Sequence, residues 1–329
     1  MRKLMIYGAT GYTGRLVCEY AKSLGLIFVI GGRTERNIRE LASSLEVACD
    51  VFELENAEKV DSSLVSIQLV LNCAGPFIRT AKPLINACIR NGVHYLDISA
   101  ELESYKLAEE RTMDAARANV MLMPGCGGSI AMLGCLAGHA LKNIKTVSSI
   151  DIALCVAGSM SRGSATSATE SSMTNCLQRS NGKLAPHDVK YTKRFDFDNG
   201  IGEVDCFPVT LPDLITIWKS TGIGNIRTYA YVSGDAFPTG NLEALPNGPS
   251  AEQRKATPYH AAVTLTTVDG IVKKEVLHTV NGYTFTSLAS VHAARLVLGG
   301  KYQPGFQTPA GIFGPEFVQT VSGSRIVEL

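Results

Sequence analysis

The feature that most constrains this chain is Gly8-Ala9-Thr10-Gly11-Tyr12-Thr13-Gly14, a GxxGxxG spacing. It follows a short apolar run at residues 3–7. It opens a stretch, 12–24, in which Leu16, Val17, Tyr20, Ala21 and Leu24 share one helical face. Glycine is needed where a chain turns sharply from strand to helix and where backbone must come close to a pyrophosphate. The helix beyond supplies free N–H groups and the positive end of its dipole. A glycine triplet alone says little; a strand before it and a helix after it give it meaning. Such a unit opens a strand–helix–strand crossover and commits the start of the chain to a parallel sheet.

The same alternation continues. Residues 26–30, 47–51, 69–72, 94–98 and 120–123 read as strands. Helical stretches lie at 34–44, with Thr34 as its cap, and at 82–90 and 104–118. Strand and helix in turn, with short connections, predict an α/β fold: a Rossmann-type, doubly wound parallel sheet covered on both faces. Near Val147 the pattern changes. A long apolar run at 147–156 and a stretch rich in Ser, Thr and Gly at 159–172 are followed by strand-like pieces between turn signals. Among these, 261–268 and 271–280 form a hairpin around Asp269-Gly270. Helical periodicity returns at 285–298. The expected organisation is a dinucleotide-binding domain over 1–147 and a second α+β domain over 148–329 for substrate binding or dimerisation. The tail from about 285 to 329 is expected to fold back on the first domain.

Composition narrows the function classes. A formal charge of +1 offers no field to recruit nucleic acid or an anionic membrane. Nine cysteines without paired short spacings do not form a disulfide framework; free thiols fit a reducing, cytoplasmic setting, and no metal site is read. The opening residues are too soon interrupted by glycine to be a signal peptide. Residues 120–140 carry no side chain charged at neutral pH, and length alone would let them cross a membrane. Pro124, Gly125, Gly127 and Gly128 favour a strand, a turn and a buried helix instead, so no membrane span is expected.

Four places carry the candidate chemistry. The glycine loop supplies Gly8, Thr10, Gly11, Tyr12, Thr13 and Gly14. After the second strand comes Gly31-Gly32-Arg33-Thr34, with no acid where an NAD site places one for the ribose hydroxyl. Arg33 can fork onto a 2′-phosphate, with Thr34 beside it, and this points to NADP(H). The alternative makes Glu35 the ribose ligand and Arg33 a solvated residue. Cys73, Ala74, Gly75, Pro76 and Phe77 close the fourth strand, where small residues admit the second ribose and nicotinamide and Phe77 can cover the ring. The fifth strand ends near Ser99 and Glu101. Tyr95 or Glu101 is the candidate proton mover, Asp97 the orienting group, and Ser99 a cofactor contact. The competing reading is that these are buried polar groups tying strand to loop. Weaker features are Cys126, imaginable as a nucleophile with His139 but better read as a small packed residue, and Ser161-Arg162-Gly163-Ser164-Ala165-Thr166. That stretch is either an anion-binding helix start or a loop.

Taken as a set, GATGYTG, GGRT, NCAGPF, HYLDISAE, SRGSATSATES, STGIGNIRTY and the tail GFQTPAGIFGPEF resemble the saccharopine dehydrogenase-like oxidoreductases, most nearly their trans-acting enoyl reductase branch. The resemblance runs from about Leu4 to Val318. It implies an NADP-binding Rossmann domain and a second α+β domain whose sheet supports a homodimer. There are departures. Ala81 and Ala100 stand where the family commonly has glycine. After the sixth strand, Gly127 and Gly128 replace a Phe-Asp pair, and Ala131 and Leu133 fall where the branch has Pro and Asp. These bear on the substrate and not on the cofactor.

The expectation is an NADP(H)-dependent oxidoreductase moving hydride to or from a carbonyl, imine or enoyl group of a small-molecule or acyl-type substrate. One alternative is a non-catalytic NADP(H) sensor; another is an enoyl reductase acting in trans on a carrier-bound acyl chain. A Tyr-x-x-x-Lys mechanism has no support, since Tyr191-Thr192-Lys193 has the wrong spacing.

Overall fold

The computed structural model describes residues 3–171, 176–233 and 247–329. The first part of the chain alternates β1 (Lys3–Tyr7), α1 (Tyr12–Ser23), β2 (Phe28–Gly32), α2 (Glu35–Leu45), β3 (Ala48–Val51), α3 (Ala57–Leu64) and β4 (Ile67–Asn72). It continues with α4 (Phe77–Asn91), β5 (His94–Asp97), α5 (Leu102–Glu110), α6 (Thr112–Arg117), β6 (Met121–Met123) and α7 (Gly128–Ala140). Strands then dominate: β7 (Val147–Ala157), α8 (Arg162–Ser171), β8 (Leu177–Ser180), β9 (Lys183–Pro186), β10 (Lys193–Asp196), β11 (Glu203–Pro208) and α9 (Asp213–Thr221). After these come β12 (Ile226–Ser233), α10 (Ala251–Ala256), β13 (Tyr259–Thr267) and β14 (Val272–Thr279). The chain closes with α11 (Gly282–Leu298), β15 (Gly305–Phe306), α12 (Pro309–Phe313), a 3-10 turn Pro315–Thr320 and β16 (Arg325–Glu328).

Two compact units result. One holds 1–128 and 286–307; the other holds 129–285 and 308–329. The sequence reading divides the chain after residue 147, whereas the compact units divide after 128. Helix α7 goes with the second unit because its Gly134 and Gly138 face Ala310 and Pro315, and its His139 bonds to Glu275. The tail also divides. Strand β15 pairs in parallel with β6, so 286–307 joins the first unit, whereas β16 pairs with β14 and carries 308–329 into the second.

The first unit is built on a seven-stranded sheet, ordered β15-β6-β5-β4-β1-β2-β3, with every pairing parallel. Leu4, Met5 and Ile6 of β1 and Leu69, Val70 and Leu71 of β4 are all buried. Helices cover both faces, so the central strands read as unbroken apolar runs. Strand order reverses between β1 and β4, and that is where an open α/β sheet leaves a crevice beyond its carboxyl ends. Two helices differ from the sequence reading. Helix α4 begins at Phe77, five residues before its apolar periodicity shows, because its first turn is capped from elsewhere. The stretch 104–118 is split into α5 and α6 at Arg111.

The second unit carries a nine-stranded mixed sheet, ordered β10-β11-β12-β7-β13-β14-β16, with β8 on β12 and β9 on β8. Strands β12 and β7 run parallel, and β13 and β14 form the hairpin expected at Asp269-Gly270. Helix α7, apolar on nearly all sides and buried from Ile130 to Ala137, is a core helix. Among the described residues no helix is long and apolar enough to cross a membrane.

Candidate functional site

The three loop glycines differ in what the fold asks of them. Gly8 has φ +78°, and a Cβ there would lie 2.6 Å from the backbone N of Ala74, so β1 and β4 end in close contact. A Cβ on Gly14 would lie 2.3 Å from the Gly8 carbonyl oxygen, and that contact sets α1 tight against β1. Gly11 is different. Its φ is −68°, it is exposed, and a Cβ would meet only the Gly8 oxygen at 3.4 Å, an ordinary contact. Nothing within the fold requires glycine there. The N-terminus of α1, which Gly11 opens, has no side-chain cap and no acid in its first turn. Uncapped N–H groups beside a position open to close approach suit a pyrophosphate. Thr10, Tyr12 and Thr13 are half-buried along the same loop.

At the end of β2, packing accounts for both glycines. A Cβ on Gly31 would press on Tyr7, and one on Gly32 would lie 2.9 Å from Ile38 of α2. Arg33 is exposed and, among the described residues, forms no ion pair or hydrogen bond. Glu35, the alternative ribose ligand, is held by Arg39 at 2.8 Å, and Arg36 by Glu40 at 2.8 Å. Thr34 sits at the N-cap of α2, and its side chain makes no capping bond. Tyr7 stacks on Phe52 with ring centroids 5.0 Å apart. Burial pushes its hydroxyl up to about 12, with Glu55 adding and Arg33 opposing, so Arg33 and Glu55 both act on the same corner.

Across the switch point, β4, β5 and β6 end in a buried polar network. Asn72 donates to Thr80 Oγ1 at 3.1 Å and to the Tyr95 hydroxyl at 3.2 Å, and its Oδ1 accepts from Ala74 N at 2.9 Å. Thr80 donates to the Ala74 carbonyl at 2.6 Å. The Tyr95 hydroxyl donates to Asp97 Oδ2 at 2.8 Å, while Asp97 Oδ1 accepts from Ser99 N at 2.9 Å and Gly125 N at 2.8 Å. Tyr105 donates to the Ser99 carbonyl at 2.7 Å. Burial raises the Asp97 carboxyl, against the pull of these backbone donors, and raises the Tyr95 phenol well above its ordinary value, with Asp97 adding to the effect.

Tyr95 and Glu101, the candidate proton movers, are both engaged within the fold. Tyr95 is 0% exposed, and its hydroxyl is tied between Asn72 and Asp97. The Glu101 carboxylate accepts from Phe77 N at 3.0 Å and Ile78 N at 2.7 Å, and so caps α4, which has no cap of its own. Glu101 thus serves backbone N–H groups, and Tyr95 serves the side chains of Asn72 and Asp97. Ser99 is buried with them. Ala74, Gly75 and Pro76 lie on the accessible edge, while Cys73 and Phe77 are buried. Thr80 was not anticipated; its only signal is a hydroxyl one turn into α4. The capping role of Glu101, 24 residues from Phe77, leaves no local signal.

The weaker features resolve as structure. Cys126 is fully buried and burial holds its thiol well above the usual range; His139 is bonded to Glu275 at 2.7 Å. Ser161 caps α8, accepting from Ser164 N at 3.2 Å and donating its own N–H to the Tyr283 hydroxyl at 2.6 Å, and Tyr283 in turn donates to Ser164 Oγ at 3.0 Å. These hydroxyls occupy one another at the start of the helix.

A parallel sheet with this strand order and a glycine loop at its switch point, in a chain that carries a second mixed-sheet unit, are the features of a dinucleotide-binding fold. Residues 4–123 match the family model of the saccharopine dehydrogenase NADP binding domain. The chain is similar to a saccharopine dehydrogenase-like oxidoreductase of Mus musculus, with 26% identity over 144 residues, covering 38% of this chain and 34% of the relative. It is also similar to a trans-acting enoyl reductase of Mycobacterium leprae (strain TN), with 31% identity over 106 residues, 30% of this chain and 25% of the relative. The chain thus spans about a third or less of the length of these relatives. Among solved structures, apo saccharopine dehydrogenase (L-Glu forming) from Saccharomyces cerevisiae aligns over 100% of both chains with a TM-score of 0.69 at 12% identity, a likeness of fold.

Proposed function

We propose that the protein is an NADP(H)-dependent oxidoreductase whose substrate is a carbonyl, imine or enoyl compound of small-molecule or acyl type. The observation that carries this reading is Gly11: an exposed glycine that the fold does not require, at the uncapped start of α1. The bound cofactor supplies the hydride chemistry. The chain's own residues hold it. Gly8, Gly11 and Gly14 let backbone approach the pyrophosphate, and Thr10, Tyr12 and Thr13 flank it. Ala74, Gly75 and Pro76 border the second ribose. The Asn72–Tyr95–Asp97 network, with Ser99 and Glu101, keeps the floor beneath them rigid. Arg33, which has no partner of its own among the described residues, takes the 2′-phosphate, while Glu35 stays with Arg39. A preference for NADP(H) follows.

Affinities for NADPH and NADH in the wild type and in Arg33→Ala test this. The expected result is tighter NADPH binding that Arg33→Ala weakens by about 1–3 kcal/mol with NADH unaffected; tighter NADH binding by the wild type overturns the preference. One observation favours a second reading, a non-catalytic NADP(H) sensor: both residues expected to move a proton are engaged within the fold, Tyr95 with the Asn72 and Asp97 side chains and Glu101 with the N–H groups of Phe77 and Ile78. Single-turnover oxidation of bound NADPH across carbonyl, imine and enoyl compounds, free and carrier-tethered, separates the readings. Tight binding without turnover of any of them supports the sensor.

A further inference from the structure

At the start of β7, in the second unit, a cavity of about 260 Å³ is lined by Ser148, Ser149, Gln178, Arg179, Ser180, Asn225 and Arg227. It lies at the opposite end of this eleven-residue strand from the Ser161 hydroxyl cluster, roughly 30 Å away at strand rise. Every lining side chain is polar, two are cationic and none is acidic.

The charges are arranged to favour an anion. Beneath the cavity Asp151, 1% exposed, accepts from Arg227 Nε at 2.5 Å and Nη2 at 3.0 Å, and also pairs with Lys193. Two cations on one buried carboxylate leave a positive surplus. Arg179 is engaged elsewhere: its guanidinium donates to the carbonyls of Leu214 at 2.6 Å and Gly182 at 2.7 Å and lies over Trp218. Asn225 is spent on Asn181 N and the Ser148 carbonyl, and Ser148 on the carbonyls of Thr266 and Thr267. Gln178 Nε2 donates to the Pro186 carbonyl at 3.1 Å, while Arg227 Nη1 and the hydroxyls of Ser149 and Ser180 have no hydrogen-bond partner among the described residues and are donors open to a ligand.

These donors come from three strands. Ser149 is on β7, Ser180 on β8 and Arg227 on β12, the strand between them in the sheet. Strand alternation puts Gln178 and Ser180 on the face opposite that of Arg179, whose register partner is Ile226, and so on the face of Arg227. A planar carboxylate is matched by a two-pronged fork. Donors converging from three strands suit a tetrahedral oxyanion. The volume is below that of drug-sized ligand pockets, so it takes a small molecule and not a nucleotide.

We propose that this cavity binds a small oxyanion of the phosphate-monoester class, held by Arg227, Ser149 and Ser180. The test is isothermal titration of the full-length chain with inorganic phosphate as the probe, NADPH present to occupy the dinucleotide site. The expected result is saturable binding to a single site. Ser180→Asp and Gln178→Glu, each adding a negative charge to the lining, weaken it by roughly tenfold or more. Arg33→Ala, which removes a possible phosphate ligand in the other unit, leaves it unchanged. Thermal melting of both lining variants checks that they fold; Gln178→Glu is close in size to the original and serves if Ser180→Asp does not. Absence of saturable binding overturns the proposal, as does binding that a folded lining variant leaves unaltered. Tighter binding of malonate than of phosphate overturns the assignment to phosphoryl groups.

Discussion

Replacing Gly11 by alanine separates what the ligand needs from what the fold needs. The backbone at Gly11, φ −68° and ψ 163°, is open to any residue, and the added methyl group touches only the Gly8 oxygen at 3.4 Å. Two small effects oppose each other. Alanine restricts the unfolded chain and stabilises by about 0.4–1 kcal/mol; as a poorer residue at a helix start it costs about 0.5–1 kcal/mol. The net change in folding stability is within about 0.5 kcal/mol of zero. Binding responds differently. A methyl group on the approach to the N-terminus of α1 displaces a pyrophosphate oxygen from backbone donors, and each charge-assisted bond lost costs about 1.5–3 kcal/mol. NADPH affinity is expected to fall by roughly 10- to 100-fold, at 1.4 kcal/mol per tenfold. Gly14→Ala is the contrast, since its methyl group would meet backbone at 2.3 Å, and backbone cannot swing aside. That variant loses about 1–3 kcal/mol of stability or more. Urea unfolding reads the first quantity and fluorescence titration with NADPH the second. If Gly11→Ala binds NADPH as the wild type does, the loop does not approach the cofactor and the central argument for the site fails.

Three other outcomes are expected. Arg33→Ala weakens NADPH and spares NADH, read as the ratio of the two dissociation constants. Glu101→Ala removes the cap of α4 and lowers stability by about 1–2 kcal/mol in urea unfolding; the pH profile of single-turnover NADPH oxidation keeps its shape, whereas loss of one limb would restore Glu101 as the proton donor. Asp213, at the start of α9, is fully buried, neither carboxyl oxygen has a hydrogen-bond partner among the described residues, and burial raises it well above the usual carboxylate range. The folded protein keeps this proton after the unfolded chain has released its own, so stability declines as pH rises from about 4 toward the raised value, by at most about 1.4 kcal/mol per pH unit. Asp213→Asn is expected to remove that slope and gain stability at pH 7 relative to pH 5, and a wild-type slope retained in the variant would assign the titration to another group.

The sheet of the first unit was legible because its signals are local. Each central strand is an apolar run bounded by turn residues, and GxxGxxG marks one strand–helix junction by residue type. Helix starts were read less well where the cap is distant. Helix α4 is held by a carboxylate 24 residues away, and no window around Phe77 contains it. The compact units divide elsewhere than the pattern suggests for a related reason. Helix α7 looks like a continuation of the alternating pattern, and only its contacts with Ala310, Pro315 and Glu275, far along the chain, assign it to the second unit.

The polar residues after β5 show why residue type alone does not identify a proton donor. At the carboxyl ends of parallel strands the ladder stops and backbone N–H groups lose their partners, so a fold places acids, amides and hydroxyls there for its own use. A reacting ligand needs the same residue types at the same place. What separates the two uses is how many bonds each side chain has already made. Both Asp97 oxygens and both Glu101 oxygens accept from this chain, and Tyr95 is enclosed between two partners. Under the proposed reading, these groups fix the floor on which the nicotinamide lies. The proton that accompanies hydride transfer then has to come from a group outside this network, from water or from the substrate itself.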